Sequence, residues 1–197
     1  MGQPVLHSPY VEAAKAAIRI YVEDGGEAEI RANGVFRPDG EQHPTPCSDF
    51  SPLFGERAGV FVSIKKLGAL RGCIGTISPT QSCVADEIVQ NAISACSRDP
   101  RFDPVAPGEL GSLAVSVDVL GKAEPVISIK DLDVLRYGVI VSKGYRRGLL
   151  LPNLEGVDTV EYQLQIALSK AGIGPGEKYS IERFEVVCHD AGGAMAG

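Results

Sequence analysis

The chain has 197 residues, of which 44% are hydrophobic and 22% charged, and it contains no Trp. Those proportions suit a globular protein with a sizeable core, built as one large domain or two joined halves. A net charge of -6 argues against nucleic acid as the main partner, because phosphate binding draws on a basic field; a local basic patch is still compatible with a small anion.

The N-terminal "MGQPVLHSPY" has neither the basic region nor the apolar stretch of a secretory signal, and Leu6 stands where a myristoylation signal needs Ser or Thr. No apolar run reaches membrane-spanning length, so no membrane partner is expected. The five Cys (Cys47, Cys73, Cys83, Cys96, Cys188) form no CxxC pair. Reduced thiols in a cytoplasmic protein fit that spacing better than a disulfide framework.

"SPYVEAAKAAIRIYVEDGG" predicts a helix over about 9–24, with Ser8 as cap, Pro9 in the first turn and Gly25-Gly26 as the stop. Residues 31–57 are rich in Pro, Gly and polar side chains and read as a long irregular segment with short strand pieces. "GVFVS" at Gly59–Ser63 then recurs as "GVIVS" at Gly138–Ser142. Each copy leads through a turn to Arg-Gly and an apolar run, "RGCI" from Arg71 and "RGLL" from Arg147, and then to a helix. Asp158 and Glu161 have capping-box spacing at the second helix, and Gly172 is its stop. A strand follows each helix: "LAVSVDVL" with Leu113, Val115, Val117 and Val119 on one face, and "RFEVVCH" alternating Phe184, Val186 and Cys188.

The expected fold is therefore α+β. It is an internal duplication of hairpin-helix-strand units, at about 59–120 and 138–189, with helices packed on an antiparallel or mixed sheet. The small-residue tail, 191–197, reads as disordered.

"GVFVSIKKLGALRGCIGT" resembles the signature of the AMMECR family, with its L-R-G-C-I-G core. "DPRFDPV", "YGVIVSKGYRRGLLLPNLEGVDTVEYQLQIALSKAGI" and "ERFEVVCHD" are also similar to that family, and most similar to its bacterial branch, AmmeMemoRadiSam system protein A. The resemblance runs from about Pro9 to Asp190 as a single AMMECR-type domain. It implies an α+β fold with an internal duplication, and as partners a Memo-like protein and a radical SAM enzyme in a modification pathway. It names no settled reaction and no cofactor.

The chemistry centres on Arg71 and Cys73. Residues two apart on a strand share a face, about 7 Å apart, and a cation there favours the thiolate. Cys73 is thus a candidate nucleophile, with Arg71 for thiol activation or anion binding. Gly72 and Gly75 lack side chains that would obstruct a ligand, and Thr76 and Arg147 add a hydroxyl and a second guanidinium for an anionic substrate. Alternatively, Cys73 is a small buried hydrophobe, Arg71 is paired with a carboxylate, and the glycines serve close packing. The second copy has Leu149 where Cys73 stands, so the thiol is the element that differs.

Asp99 in "SRDPRFDP" is a candidate to orient Arg71 or to act as a general acid/base; the plainer reading is a turn pinned by an Asp99–Arg101 ion pair. His189 would complete a Cys-His system only if the fold brought it to Cys73. No metal-ligand spacing and no Walker or dinucleotide-binding motif is present. Two function classes follow: a protein that binds an anionic substrate around Arg71 and Cys73, or a non-catalytic adaptor that docks a peptide or partner protein.

Overall fold

The computed structural model describes residues 7–190. The N-terminal motif "MGQPVL" and the tail expected to be disordered lie outside the described residues. Contacts divide the chain into two units, one running to Val119 and resuming at Cys188, the other Leu120–Val187.

The first unit opens with α1, Pro9–Asp24. Gly25 closes it in the left-handed conformation (φ 72°), its N–H bonded to the Tyr21 carbonyl. Ser8 occupies the cap position, but its buried hydroxyl makes no hydrogen bond among the described residues, so the expected side-chain cap does not form. The Pro- and Gly-rich segment contains β1 (Glu29–Arg31), β2 (Gly34–Phe36) and β3 (Gln42–His43), which form a small antiparallel sheet.

The hairpin β4 (Val60–Lys66) and β5 (Ala69–Gly75) follows, then α2 (Val84–Ser97) and β6 (Leu113–Leu120). With β11 (Val186–His189) they form a sheet in the order β11-β6-β4-β5, with β5 at the edge. Strand alternation places Val60, Val62 and Ile64 of β4, with Val115 and Val117 of β6, in one core with the apolar stripes of α1 and α2. Burying each such side chain is worth about 1.5–3 kcal/mol. The opposite face carries Phe61 beside Asp118 and, between Cys73 and Ser116, Ser63; all five are half-buried.

In the second unit the hairpin is β8 (Gly138–Lys143) and β9 (Arg146–Leu150). It is followed by α3 (Val160–Ala171) and β10 (Ser180–Phe184), and the short β7 (Glu124–Pro125) completes the order β7-β10-β8-β9. All pairs in this sheet are antiparallel. Val139, Val141 and Leu150 pack with Leu164 and Ala167 of α3. Thr159, not Asp158, caps α3: its side chain accepts from the Tyr162 N–H, one residue along from the expected capping-box pair.

The α+β class is as expected, with helices packed on antiparallel sheets. One expectation is corrected. "RFEVVCH" is not a single strand: it breaks at Glu185, so that Phe184 ends β10 in one sheet and Val186 starts β11 in the other. The Glu185 carbonyl instead accepts from the Gly121 N–H. Among the described residues no helix is long and apolar enough to cross a membrane.

Candidate functional site

Edge strand β5 has no neighbour strand for its outer backbone groups, which must find other partners. Two side chains from the turn after α2 supply them at Cys73. The Cys73 N–H donates to Asp99 Oδ2 at 2.9 Å, and Arg101 Nη2 donates to the Cys73 carbonyl at 3.1 Å. Arg101 also grips Asp99 through Nε and Nη2 at 2.9 and 2.7 Å. Asp99 is only 4% exposed, and the Arg101 guanidinium, with the Cys73 and Arg101 N–H groups, holds its carboxyl well below the usual range despite burial. The ion pair expected for this turn is therefore a clip on the strand edge. Asp99 bonds Arg101 and Cys73; it does not orient Arg71.

Arg71 is the extra residue where the β4–β5 register shifts, between the pairs Lys65–Leu70 and Ile64–Gly72. Its guanidinium forms a bidentate bond to Glu109, at 3.1 Å from Nε and 2.9 Å from Nη2. It donates further to the carbonyls of Asp103 and Pro104. Glu109 also takes Lys66 Nζ and the Ala106 N–H. Arg71 first, then those two donors, pulls the Glu109 carboxyl down to about 2. The donors of Arg71 thus point at acceptors of the protein itself, and the cation that meets the thiol is Arg101.

The Cys73 sulfur is half-buried. It accepts from Ser63 Oγ at 3.2 Å, across the β4–β5 pair, and interacts electrostatically with the Arg101 guanidinium, which is bonded to the carbonyl of the same residue. Ser63 was the residue missed by the motif reading. Its signal was the hairpin register, which sets Ser63 opposite Cys73.

Gly72 and Gly75 do not leave open space, which corrects that expectation. A Cβ on Gly72 would lie 2.2 Å from the Ala95 carbonyl oxygen of α2, and one on Gly75 would lie 2.3 Å from the Phe61 ring. Both glycines admit the protein's own backbone or side chains. Thr76 is likewise engaged internally. Its hydroxyl donates to Glu87 Oε1 at 2.6 Å and accepts from Asn91 Nδ2. Glu87, 1% exposed, accepts from Thr76, from the Thr80 N–H and hydroxyl, and from the Gln81 N–H. Burial pushes its carboxyl up, and these bonds more than offset that, leaving it below the usual value.

Arg147 lies in the second unit, exposed, with Nη2 3.3 Å from Glu182. His189 stacks on the Tyr10 ring at 3.9 Å, nearly parallel. Burial lowers its pKa against the pull of Asp118. Burial, with the neighbouring Asp118 carboxyl, pushes the Cys188 thiol up to about 12. Among the described residues no hydrogen bond or ring contact joins His189 to Cys73, and no group of three or more His, Cys, Asp or Glu is placed to hold a metal ion.

A family model described as AMMECR1 matches residues 12–189, which takes in the clip, the thiol and both hairpins. The chain belongs to the AMMECR1 family. A protein of Thermotoga maritima is 48% identical over 184 residues, covering 90% of this chain and 97% of its own length. A protein of Clostridium acetobutylicum is 55% identical over 181 residues, 92% of this chain, but this AMMECR1 chain spans only 36% of that longer protein. The crystal structure of an uncharacterized protein from Pyrococcus horikoshii superposes with a TM-score of 0.74 at 30% identity, covering 91% of this chain and 88% of its own.

Proposed function

We propose that this AMMECR1-family chain is a component of a modification pathway, working with a Memo-like protein and a radical SAM enzyme, and that it holds an anionic substrate against the Cys73 thiol. The observation that carries this reading is the convergence of Ser63 Oγ and Arg101 on a half-buried sulfur whose backbone is clamped by Asp99. A hydroxyl donor and a cation beside the sulfur can hold an anionic substrate against it. Arg101 uses Nε and Nη2 for the clip, which leaves Nη1 for an acceptor on the substrate. In a covalent step the Cys73 sulfur supplies the electron pair for a new bond to the electrophile, and the group displaced leaves with the pair of the broken bond. The internal duplication read from the sequence is a proposal of the same kind, supported by the shared order of hairpin, helix and strand in the two units.

The test is the alkylation rate of each cysteine in the folded protein, resolved by mass spectrometry. Cys96 is buried with its thiol pushed up to about 11, and Cys188 to about 12, so both should react slowly near neutral pH. Cys73 should react faster than either, and Arg101→Gln should slow it while leaving Cys96 unchanged. A Cys73 no faster than Cys96 sinks the reading, as would a Cys73→Ala variant with unchanged pathway output.

The second reading is the adaptor, and a specific feature favours it. Leu67, at the tip of the β4–β5 hairpin, is 92% exposed and held in the left-handed region at φ 51°, with Leu70 exposed nearby. An exposed leucine in an unfavourable backbone conformation suits a surface that docks a partner. The Clostridium relative adds support, because there the matched region is part of one much longer chain.

A further inference from the structure

The second unit contains a concave site that the Cys73 reading does not use. It encloses about 380 Å³ and is lined by Lys122, Arg136 and Arg183, with Tyr137, Glu124 and Glu185. Three cations against two carboxylates leave a positive excess in a chain whose net charge is -6. We propose that this site binds a small phosphate monoester.

Two of the cations are positioned before any ligand arrives. Arg183 Nη1 donates to the Asp131 carbonyl at 2.7 Å, and its guanidinium carbon sits 4.4 Å from the centre of the Tyr137 ring. Arg136 lies 5.0 Å from the same ring. Contacts of this kind hold a guanidinium to an aromatic surface. The main chain of Tyr137 is fixed, because the buried Gln163 side chain of α3 donates to its carbonyl at 2.9 Å. One ring thus carries two guanidinium groups at one cavity.

The carboxylates present are weak competitors. Glu185 bonds Arg136 at 2.8 Å and Glu124 lies 3.5 Å from Arg183, but both acids are more than half exposed. Ion pairs at that exposure are weak. Lys122, exposed beside them, has no carboxylate partner among the described residues. A phosphate dianion offers three terminal oxygens, enough to bridge both guanidinium groups and Lys122, whereas each glutamate serves one guanidinium. The cavity is larger than a phosphate needs, which leaves room for the esterified group and argues for a monoester over the free ion.

The test is calorimetric titration of the full chain with phenyl phosphate and with inorganic phosphate at low salt. Phenyl phosphate should bind with a Kd of about 1 mM or tighter, more tightly than inorganic phosphate, and more weakly as salt rises. Lys122→Gln and Arg183→Gln should each weaken binding about tenfold, the loss of one charge-assisted contact. Glu185→Gln should tighten it by removing the competitor. Lys122 is exposed and unpaired among the described residues, so its variant tests binding even if Arg183→Gln folds poorly. No binding up to about 10 mM overturns the proposal. So does binding equal in all variants, or equal for the two ligands, which marks an adventitious ion only. Cysteine alkylation is read in the other unit, so the two proposals fail separately.

Discussion

Glu109 in the first unit and Glu177 in the second are held by the same kinds of partner. Glu109 takes Lys66, from the end of β4, Arg71, from β5, and the Ala106 N–H just ahead of β6. Glu177 takes Lys143, from the end of β8, Arg146, from the start of β9, and the Gly174 N–H just ahead of β10. In each unit one carboxylate ties the hairpin to the approach of the last strand. Lys66 and Arg71 of one hairpin, and Lys143 and Arg146 of the other, are thereby engaged within their own units. What separates the units lies elsewhere. Half-buried Cys73 stands opposite Ser63, whereas Leu149 is buried opposite Ile140. The fourth residue of the helix is an acid in one unit, Glu87, and an amide in the other, Gln163. The shared contacts hold each hairpin to the approach of its last strand, and the differences lie at single positions beside them.

The strongest way to break the likeness is at the Arg-Gly glycines. A Cβ on Gly72 would lie 2.2 Å from the Ala95 carbonyl oxygen, and one on Gly148 would lie 2.1 Å from that of Ala167. The obstacle in each unit is helix backbone, which cannot swing aside as a side chain can. Gly72→Ala and Gly148→Ala should therefore each cost about 3 kcal/mol, measured by urea unfolding with a probe in the affected unit. If one variant is tolerated and the other is not, the two glycines do not serve a common packing role.

Glu87 and Gln163 sharpen the contrast. Glu87→Gln turns one acceptor oxygen into an NH₂ facing donors, and should cost about 2 kcal/mol at neutral pH. The pH dependence has a fixed sign. Because the folded carboxyl sits below its ordinary value of about 4.3, its contribution is fully present above that value and fades as pH falls through the folded one. The gap between wild type and variant should thus narrow in acid. A gap that is flat down to low pH would mean that the charge of Glu87 is not what the four donors recognise.

These contrasts also show what the sequence could reveal. The hairpins, helices and their order were legible, because period-2 and period-3.6 patterns and the glycine stops are local signals. Cys73 was legible as the odd element because its counterpart is Leu149. The clip was not, since which side chains satisfy an edge strand depends on how a distant turn folds back. Arg101 gave no local sign that it would displace Arg71 as the neighbour of the thiol. Close packing at Gly72 was one of two readings the sequence left open, decided by the approach of α2, whereas nothing local showed that α2 would supply the carboxylate for Thr76. The break at Glu185 was invisible because apolar alternation continues through it while the strand changes sheet.

The smallest expected effect is at the hairpin tips. The first turn places Leu67 at φ 51° ahead of Gly68, whereas the second places Gly144 at φ 59° ahead of Tyr145. Glycine accepts that conformation without penalty, and asparagine does so more readily than leucine. Leu67 is 92% exposed, so replacing it removes almost no packing. Leu67→Asn should therefore stabilise the protein by about 0.5 kcal/mol, read as a small rise in the urea midpoint with an unchanged slope. Such a gain would mean that leucine is kept at the tip at a cost to stability, as a docking contact requires. A loss on substitution would show that Leu67 already packs within the protein, and the adaptor reading would lose the feature that favours it.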